Sequence, residues 1–298
     1  MNFQKKLLSL AVVGLALSAP VAHAAIDPGS NNPGNGELFF SLWHDNGTSA
    51  TADDASYVRD LGIRINDFSN ATSPFALNAA ATTASTNADG RTVSLFTANT
   101  LLTSFLGTIP TGANVFWNVV GNDNLGAKRF VSTAAAGTLA LPAQSTINSR
   151  NVYSAIASFV GSTNTFSNTQ NSTPNSLAAV NNSNTATFGD GLAYAGGVAY
   201  GTNLGGRTAF DTTGSIGAQL PFFLQYETST TQTGNALQRQ FTCLTGQCDP
   251  TQLNAYWTLD TTGNLSYNVA AVPEADTWAM FAAGLIAVGA IARRRLAA

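Results

Sequence analysis

Apolar and polar residues alternate along most of the chain in short segments, and turn-forming residues separate one segment from the next. A two-residue period is typical of β-strands with one buried and one solvent-facing side. The pattern predicts nine strands: Glu37–Trp43, Ser56–Phe68, Thr92–Phe96, Asn114–Val120, Arg129–Thr133, Pro221–Glu227, Gln238–Thr242, Ala255–Leu259 and Asn264–Val269. We therefore predict an all-β fold, a β-sandwich or jelly-roll-like single domain that covers residues 25–271.

Only a few segments depart from this two-residue period. Residues 99–106 and 150–161 place apolar side chains at helical spacing, and these two stretches predict short helices. Residues 162–184 are rich in Asn, Ser and Thr and predict either a long surface loop or a surface β-edge region. The Gly-rich residues 189–206 predict a loop or hairpin. The Pro, Gly and Asn residues of positions 26–36 predict a flexible start to the domain.

Composition narrows the possible functions. Only 10% of the 298 residues are charged, compared with about 25% in a typical soluble domain. Asn, Ser and Thr together number 88 and supply the polar surface instead. The basic residues are too few to form a positively charged surface that binds phosphates, so we expect no nucleic acid partner. The two histidines, His23 and His44, leave little scope for imidazole catalysis or a His-rich metal site.

The N-terminus has the three parts of a secretory signal. Lys5 and Lys6 precede an apolar run at positions 7–19, and the small residues Ala22 and Ala24 occupy the positions expected at a cleavage site. We predict a signal peptide over residues 1–24, delivery through the Sec translocon and cleavage after Ala24.

The C-terminus has a second apolar run followed by arginines. Residues 277–292 predict a transmembrane helix, in which the apolar core from Trp278 spans roughly 22 Å. Arg293, Arg294 and Arg295 follow at once, and such a cluster belongs on the cytoplasmic side of a membrane. The body of the protein would then lie outside the cytoplasm, as the N-terminal signal also predicts.

The order of features at the C-terminus resembles a known sorting signal. Pro273 and Glu274 lie just before Trp278, the apolar run and the three arginines, and this order resembles the PEP-CTERM family, with Ala275 where a second proline is usual. Residues 37–45 and 56–62 are similar to the opening of uncharacterised surface proteins of that family. The resemblance implies that residues 272–298 are a sorting signal removed by exosortase in the inner membrane. It also implies a Gram-negative cell-surface or matrix protein associated with exopolysaccharide and biofilm.

Removal of both ends changes the charge of the protein. The body keeps eight basic and fourteen acidic residues, so its net charge is −6 rather than −3. These charges are spread along the sequence, and they favour solubility rather than a specific ionic partner.

The two cysteines, Cys243 and Cys248, are close together in the sequence. In an exported protein such a pair indicates a disulfide, which would close a small loop and stabilise it by about 2 kcal/mol. A redox pair or a pair of metal ligands are the alternatives, but four intervening residues do not match the two-residue redox spacing.

The densest cluster of polar residues surrounds His44. Asp45, Asp53 and Asp54 are hard oxygen ligands that could form a calcium site, and a solvated turn is the alternative interpretation. Trp43, Trp117 and Trp257 could stack on sugars, but each lies within an apolar strand pattern that favours a place in the core.

Three functions are compatible with these features. A structural matrix component is our first hypothesis, with no catalytic residue and no cofactor. A carbohydrate-binding module would present exposed aromatic rings in a groove. A hydrolase would present paired carboxylates in a cleft.

Overall fold

A computed structural model describes residues 26–29, 35–46, 53–68, 85–87, 90–123, 128–138, 146–171, 183–227, 237–241, 255–269 and 283–286. Its strands are β1 (Glu37–Asp45), β2 (Ala55–Arg64), β3 (Ser85–Asn87), β4 (Gly90–Phe96), β5 (Asn114–Asp123), β6 (Arg129–Thr133), β7 (Ser183–Thr187), β8 (Gln219–Glu227), β9 (Leu237–Phe241), β10 (Ala255–Leu259) and β11 (Leu265–Val269). Its helices are α1 (Ile65–Phe68), α2 (Thr100–Thr108) and α3 (Thr146–Asn171), with a 3-10 segment at Phe188–Ala193. The all-β prediction is confirmed.

The strands form one curled antiparallel sheet. Its order is β3-β4-β11-β10-β8-β6-β5-β1-β2-β7, and β9 pairs with β8 beside β10. Residues 219–221 of β8 pair with β10, and residues 223–227 pair with β9. Because β8 stands between β10 and β6 in the strand order, it joins the half of the sheet that begins at β3 to the half that ends at β7. All pairings within the described residues are antiparallel, as short connections between strands allow.

Both faces of the central strands are buried. Leu38, Phe40 and Leu42 of β1 belong to a cluster inside the curl, together with Trp117 and Trp257 of other strands. The intervening β1 residues, Phe39 and Trp43, belong to a second cluster that α3 covers. A sheet with one wet face was the wrong expectation for β1, because a strand that is buried on both sides needs apolar residues at consecutive positions.

Helix α2 matches its prediction closely. It begins after Asn99, whose side-chain Oδ1 accepts a hydrogen bond from the Leu102 amide at 2.8 Å. This N-cap satisfies a backbone donor that the first helical turn leaves free. Leu102 and Phe105 face the interior, and the helix continues to Thr108, two residues beyond the predicted end.

Helix α3 is much longer than predicted. The expected apolar face of Val152, Ile156, Phe159 and Val160 is buried, but the helix runs on to Asn171. The prediction of a surface loop or β-edge region over residues 162–184 was wrong for its first ten residues, which are helical. Residues 183–187 form β7 at the end of the strand order, so the β-edge alternative is correct at Ser183 and Asn184. No helix among the described residues is long and apolar enough to cross a membrane.

The start of the domain is docked rather than flexible. Ile26 is 6% exposed, and its backbone exchanges two hydrogen bonds with the side-chain amide of Asn164 on α3, at 3.1 and 2.8 Å. The carbonyl of Asp27 accepts a bond from the Glu37 amide at 2.9 Å. The flexible-start prediction was therefore wrong at residues 26–29, because these residues find partners on elements distant in the sequence.

Candidate functional site

A single β-bridge joins β5 to the loop before β8. The amides of Trp117 and Gly214 each donate to the carbonyl of the other, at 3.0 and 3.1 Å. Beyond this bridge the two segments diverge. The Trp117 indole Nε1 donates to the Ser215 carbonyl at 2.8 Å, and the Gly217 amide donates to the Leu259 carbonyl instead of to β5. Ile216 is thereby held away from Val115, the residue that it would face in a longer ladder.

The divergence opens a groove of about 570 Å³, which we call the split-ladder groove. Residues 113–116 line one side, and residues 213–216 with Asp211 line the other. Phe116 is partly buried and stacks on Trp43, with ring centroids 5.9 Å apart. These residues include an aromatic ring, hydroxyls, an amide and one carboxylate, but no Lys, Arg or His.

A buried polar network holds the loop side of this groove in place. The Tyr200 hydroxyl donates to Asn118 Oδ1 at 2.9 Å, and Asn118 Nδ2 donates to Thr212 Oγ1 at 3.2 Å. The Thr133 hydroxyl donates to the Thr212 carbonyl. Burial raises the pKa of Tyr200, so its hydroxyl keeps the proton that it donates. These hydrogen bonds to the sheet therefore hold the loop that forms one wall of the groove in place.

A second groove of about 700 Å³ lies between α3 and the 3-10 segment. Its lining includes Ser158, Phe166, Asp190 and Leu192. The Asp190 carboxylate accepts bonds from the amide and the hydroxyl of Thr187, at 2.7 and 2.8 Å. Its only carboxylate therefore already stabilises the start of the 3-10 segment.

His44 lies in the interior and not in a solvated turn. It is 2% exposed, packs against Phe105 at 5.7 Å between ring centroids, and its Nδ1 has no hydrogen-bond partner. Burial lowers the pKa of His44, although Asp54, Asp53 and Asp45 act in the opposite direction. The solvated-turn interpretation was wrong for His44, because β1 continues through Asp45 and keeps the imidazole inside the fold.

The candidate calcium ligands are engaged elsewhere. Asp54 is 5% exposed and accepts a hydrogen bond from the Asn46 amide at 3.3 Å, while Asp53 accepts one from the Asn46 side chain. In the part of the chain that the structure describes, no three His, Cys, Asp or Glu side chains are placed to hold a metal ion. Asp53 and Asp54 thus both bond to Asn46 and do not form a metal-binding group with Asp45.

A further group of carboxylates surrounds the start of β1. The Glu37 carboxylate accepts a bond from the Asp27 amide at 2.9 Å and lies 3.5 Å from an Arg64 nitrogen. Asp60 is 5% exposed, and its carboxylate accepts a bond from the Gly62 amide at 2.7 Å in a β-bulge of β2. Each carboxylate therefore has a structural partner, and none of them lines either groove.

Asp60 is expected to make the stability of the domain depend on pH. Burial raises the pKa of Asp60 to about 6 from 3.8, and Glu37 adds to this effect. Between these two pH values the folded state holds more protons, so stability falls as pH rises. An Asp60→Asn variant keeps an acceptor for Gly62 but cannot ionise.

Relative to this variant, we expect the wild type to lose about 2 kcal/mol between pH 4 and pH 7. Urea unfolding of both proteins across this range measures the difference. Parallel profiles would show that the Asp60 carboxyl ionises equally well in both states.

The tryptophan predictions are confirmed. Trp43, Trp117 and Trp257 are 2%, 0% and 0% exposed, respectively. Since their rings are enclosed by other side chains, none of the three can stack on a sugar. An aromatic platform would have to come from another residue, and Phe116 was not identified from the sequence.

The other predicted site residues lie outside the described residues. These are Ala22 and Ala24 of the signal peptide, Cys243 and Cys248 of the disulfide, and Pro273, Glu274, Trp278, Arg293, Arg294 and Arg295 of the sorting signal.

The fold defines the class of this protein as an all-β domain built on one curled antiparallel sheet. No protein-family model, curated protein or solved structure matches the chain.

Proposed function

We propose that the chain is an exported cell-surface or extracellular-matrix protein with a structural role, associated with exopolysaccharide and biofilm. It would pass through the Sec translocon, lie transiently in the inner membrane by its C-terminal helix, and lose residues 272–298 to exosortase. The observation that carries this proposal is the ordered tail, in which Pro273 and Glu274 precede the apolar run and the Arg293–Arg295 cluster.

The positions at which the described domain begins and ends support this processing scheme. Ile26, where the described part of the chain begins, is docked and follows the proposed cleavage after Ala24 by two positions, and β11 ends at Val269, before the proposed sorting signal. Both ends could thus be removed without loss of any strand among the described residues. We also propose that the body is sandwich-like, because the two halves of the curled sheet share one apolar cluster.

Mass spectrometry of the protein recovered from the cell surface tests the processing. We expect a chain that starts at Ala25 and lacks the arginine cluster. A surface protein that retains Arg293–Arg295 would overturn the proposal.

A substitution in the motif gives a sharper test. Glu274→Gln should leave the precursor in the membrane fraction, because the residue belongs to the element that exosortase would recognise. Glu227→Gln, the same change within the body, is the matched control and should be processed normally. Equal processing of both variants would argue against a sorting role for Glu274.

A carbohydrate-binding module is the second candidate function. The observation that favours it is the split-ladder groove, which combines a partly buried aromatic ring with neutral polar groups. Binding sites of this kind place a few polar groups on an otherwise apolar wall. Retention of the purified body on immobilised neutral polysaccharide, compared with an anionic polysaccharide, tests this candidate.

A further inference from the structure

We propose that the split-ladder groove binds a neutral sugar unit, which contacts the free backbone edge of β5 at Val115 and the carboxylate of Asp211. The proposal deepens the carbohydrate-binding candidate by assigning its site.

The β5 backbone directs two hydrogen-bonding groups into the groove. Because the amide and carbonyl of Trp117 both bond to Gly214, the same groups of Val115, two residues earlier, also point away from β1 and into the groove. No described strand pairs with Val115 on that side. The groove therefore offers one backbone donor and one backbone acceptor at a fixed position.

The length of this free edge limits the ligand. The bridge at Trp117 closes one end, and the Ala113 amide beyond the other end is already bonded to Pro110 at 3.1 Å. A peptide strand needs several consecutive backbone pairs, which a single free residue cannot supply. A sugar hydroxyl both donates and accepts, so neighbouring hydroxyls of one ring match this short edge.

The side chains around Val115 fit the same ligand. Asn114, Asp211 and Ser215 are exposed, and no hydrogen bond reaches their side chains within the described residues. Their amide, carboxylate and hydroxyl groups are therefore available to hydroxyls of a ligand. Phe116 lines the same groove, and its contact with Trp43 fixes the ring on which a sugar face could lie.

The charge of the groove lining favours a neutral sugar over an anionic one. The lining of the groove has one carboxylate and no cationic side chain, so a uronate or a sulfated sugar would meet repulsion without a compensating charge. The groove beside α3 is the weaker choice, because Asp190 is already bonded to Thr187 and no strand residue is among the residues that line that groove.

Titration of the purified body with sugars tests the site. The probes are trisaccharides of glucose, galactose and mannose, with a trigalacturonate as the anionic comparison, and binding is followed by calorimetry and by ligand-observed NMR. We expect at least one neutral probe to bind. Asp211→Ala should weaken that binding about tenfold, because a charge-assisted hydrogen bond is lost.

Two further variants make the result specific. Asn114→Ala, on the opposite side of the groove, should weaken the same binding by about threefold to tenfold. Asp190→Ala removes a carboxylate from the other groove and should leave the affinity within twofold. Circular dichroism and thermal melting establish that each variant is folded before it is titrated.

The outcomes separate the site from the function. Binding of a neutral probe that both Asp211→Ala and Asn114→Ala leave unchanged would overturn the site but keep the carbohydrate-binding candidate. Failure of the wild type to bind any of the four probes would count against both. Tighter binding of trigalacturonate than of the neutral probes would overturn the assignment of a neutral ligand.

Discussion

Removal of Arg129 is expected to destabilise the domain by about 3–5 kcal/mol, because it removes the guanidinium that neutralises the buried Asp123 carboxylate. The Arg129 Nη2 and Nε atoms lie 2.6 and 3.1 Å from Asp123 Oδ2, and the side chains are 9% and 5% exposed. The two residues face each other across β5 and β6 in the central sheet. Urea unfolding of Arg129→Met measures the loss.

A double variant separates the charge effect from lost packing. Asp123→Leu combined with Arg129→Met removes both charges, so we expect it to be more stable than Arg129→Met alone. Arg64→Met is the comparison variant, because the Arg64 side chain is 45% exposed, although its partners Asp27 and Glu37 are 25% and 10% exposed. Solvent screens this guanidinium, so we expect a small loss of about 1 kcal/mol. A similar small loss at Arg129 would show that solvent reaches the Asp123 carboxylate.

Local chemistry explains which parts of the fold could be predicted. The hairpin between β10 and β11 is an example, because the Asp260 carboxylate accepts hydrogen bonds from the amides of Thr262 and Asn264, both at 2.8 Å. All of these residues are adjacent in the sequence. The Asn99 cap of α2 is equally local, so this helix was also predicted close to its true start.

Partners distant in the sequence explain the failures. The second half of α3 is rich in Thr, Ser and Asn, which have low helix propensity, but Thr163 is buried and Asn164 holds Ile26. The Gly-rich segment that was predicted as a loop or hairpin does consist mainly of turns, but the burial of its Tyr194 and Tyr200 was not predicted. Tertiary contacts outweigh local preference in α3 and decide the burial of both tyrosines.

The split-ladder groove could not be predicted for the same reason. Its two sides come from residues 113–116 and 211–216, which one β-bridge brings together. Taken alone, the sequence of each side has the pattern of an ordinary strand or turn. Trp117 was correctly expected in the core, but the bond from its indole to Ser215, which opens the groove, leaves no pattern in the sequence.

The docked start of the domain depends on a glycine at position 36. A Cβ atom on Gly36 would overlap the carbonyl oxygen of Asn122 in β5, and it would lie 2.8 Å from the Gly29 amide. Since Asn122 is held in the central sheet, Gly36→Ala must shift position 36 away from it and displace residues 26–29, which pack beside position 36. We expect a destabilisation of about 2–3 kcal/mol, measured by urea unfolding.

Limited proteolysis locates the effect of this substitution. Displacement of residues 26–29 should expose them, so mass spectrometry should detect faster cleavage at the N-terminal end of Gly36→Ala than of the wild type. Gly107→Ala is the matched control, because a Cβ there meets no atom within 4 Å and alanine favours the helix by up to about 1 kcal/mol. If both variants were as stable and as resistant as the wild type, the contact between Gly36 and Asn122 would not hold the start of the domain. Loss of stability in Gly36→Ala alone would show that the residues next to the proposed signal cleavage site are part of the folded body.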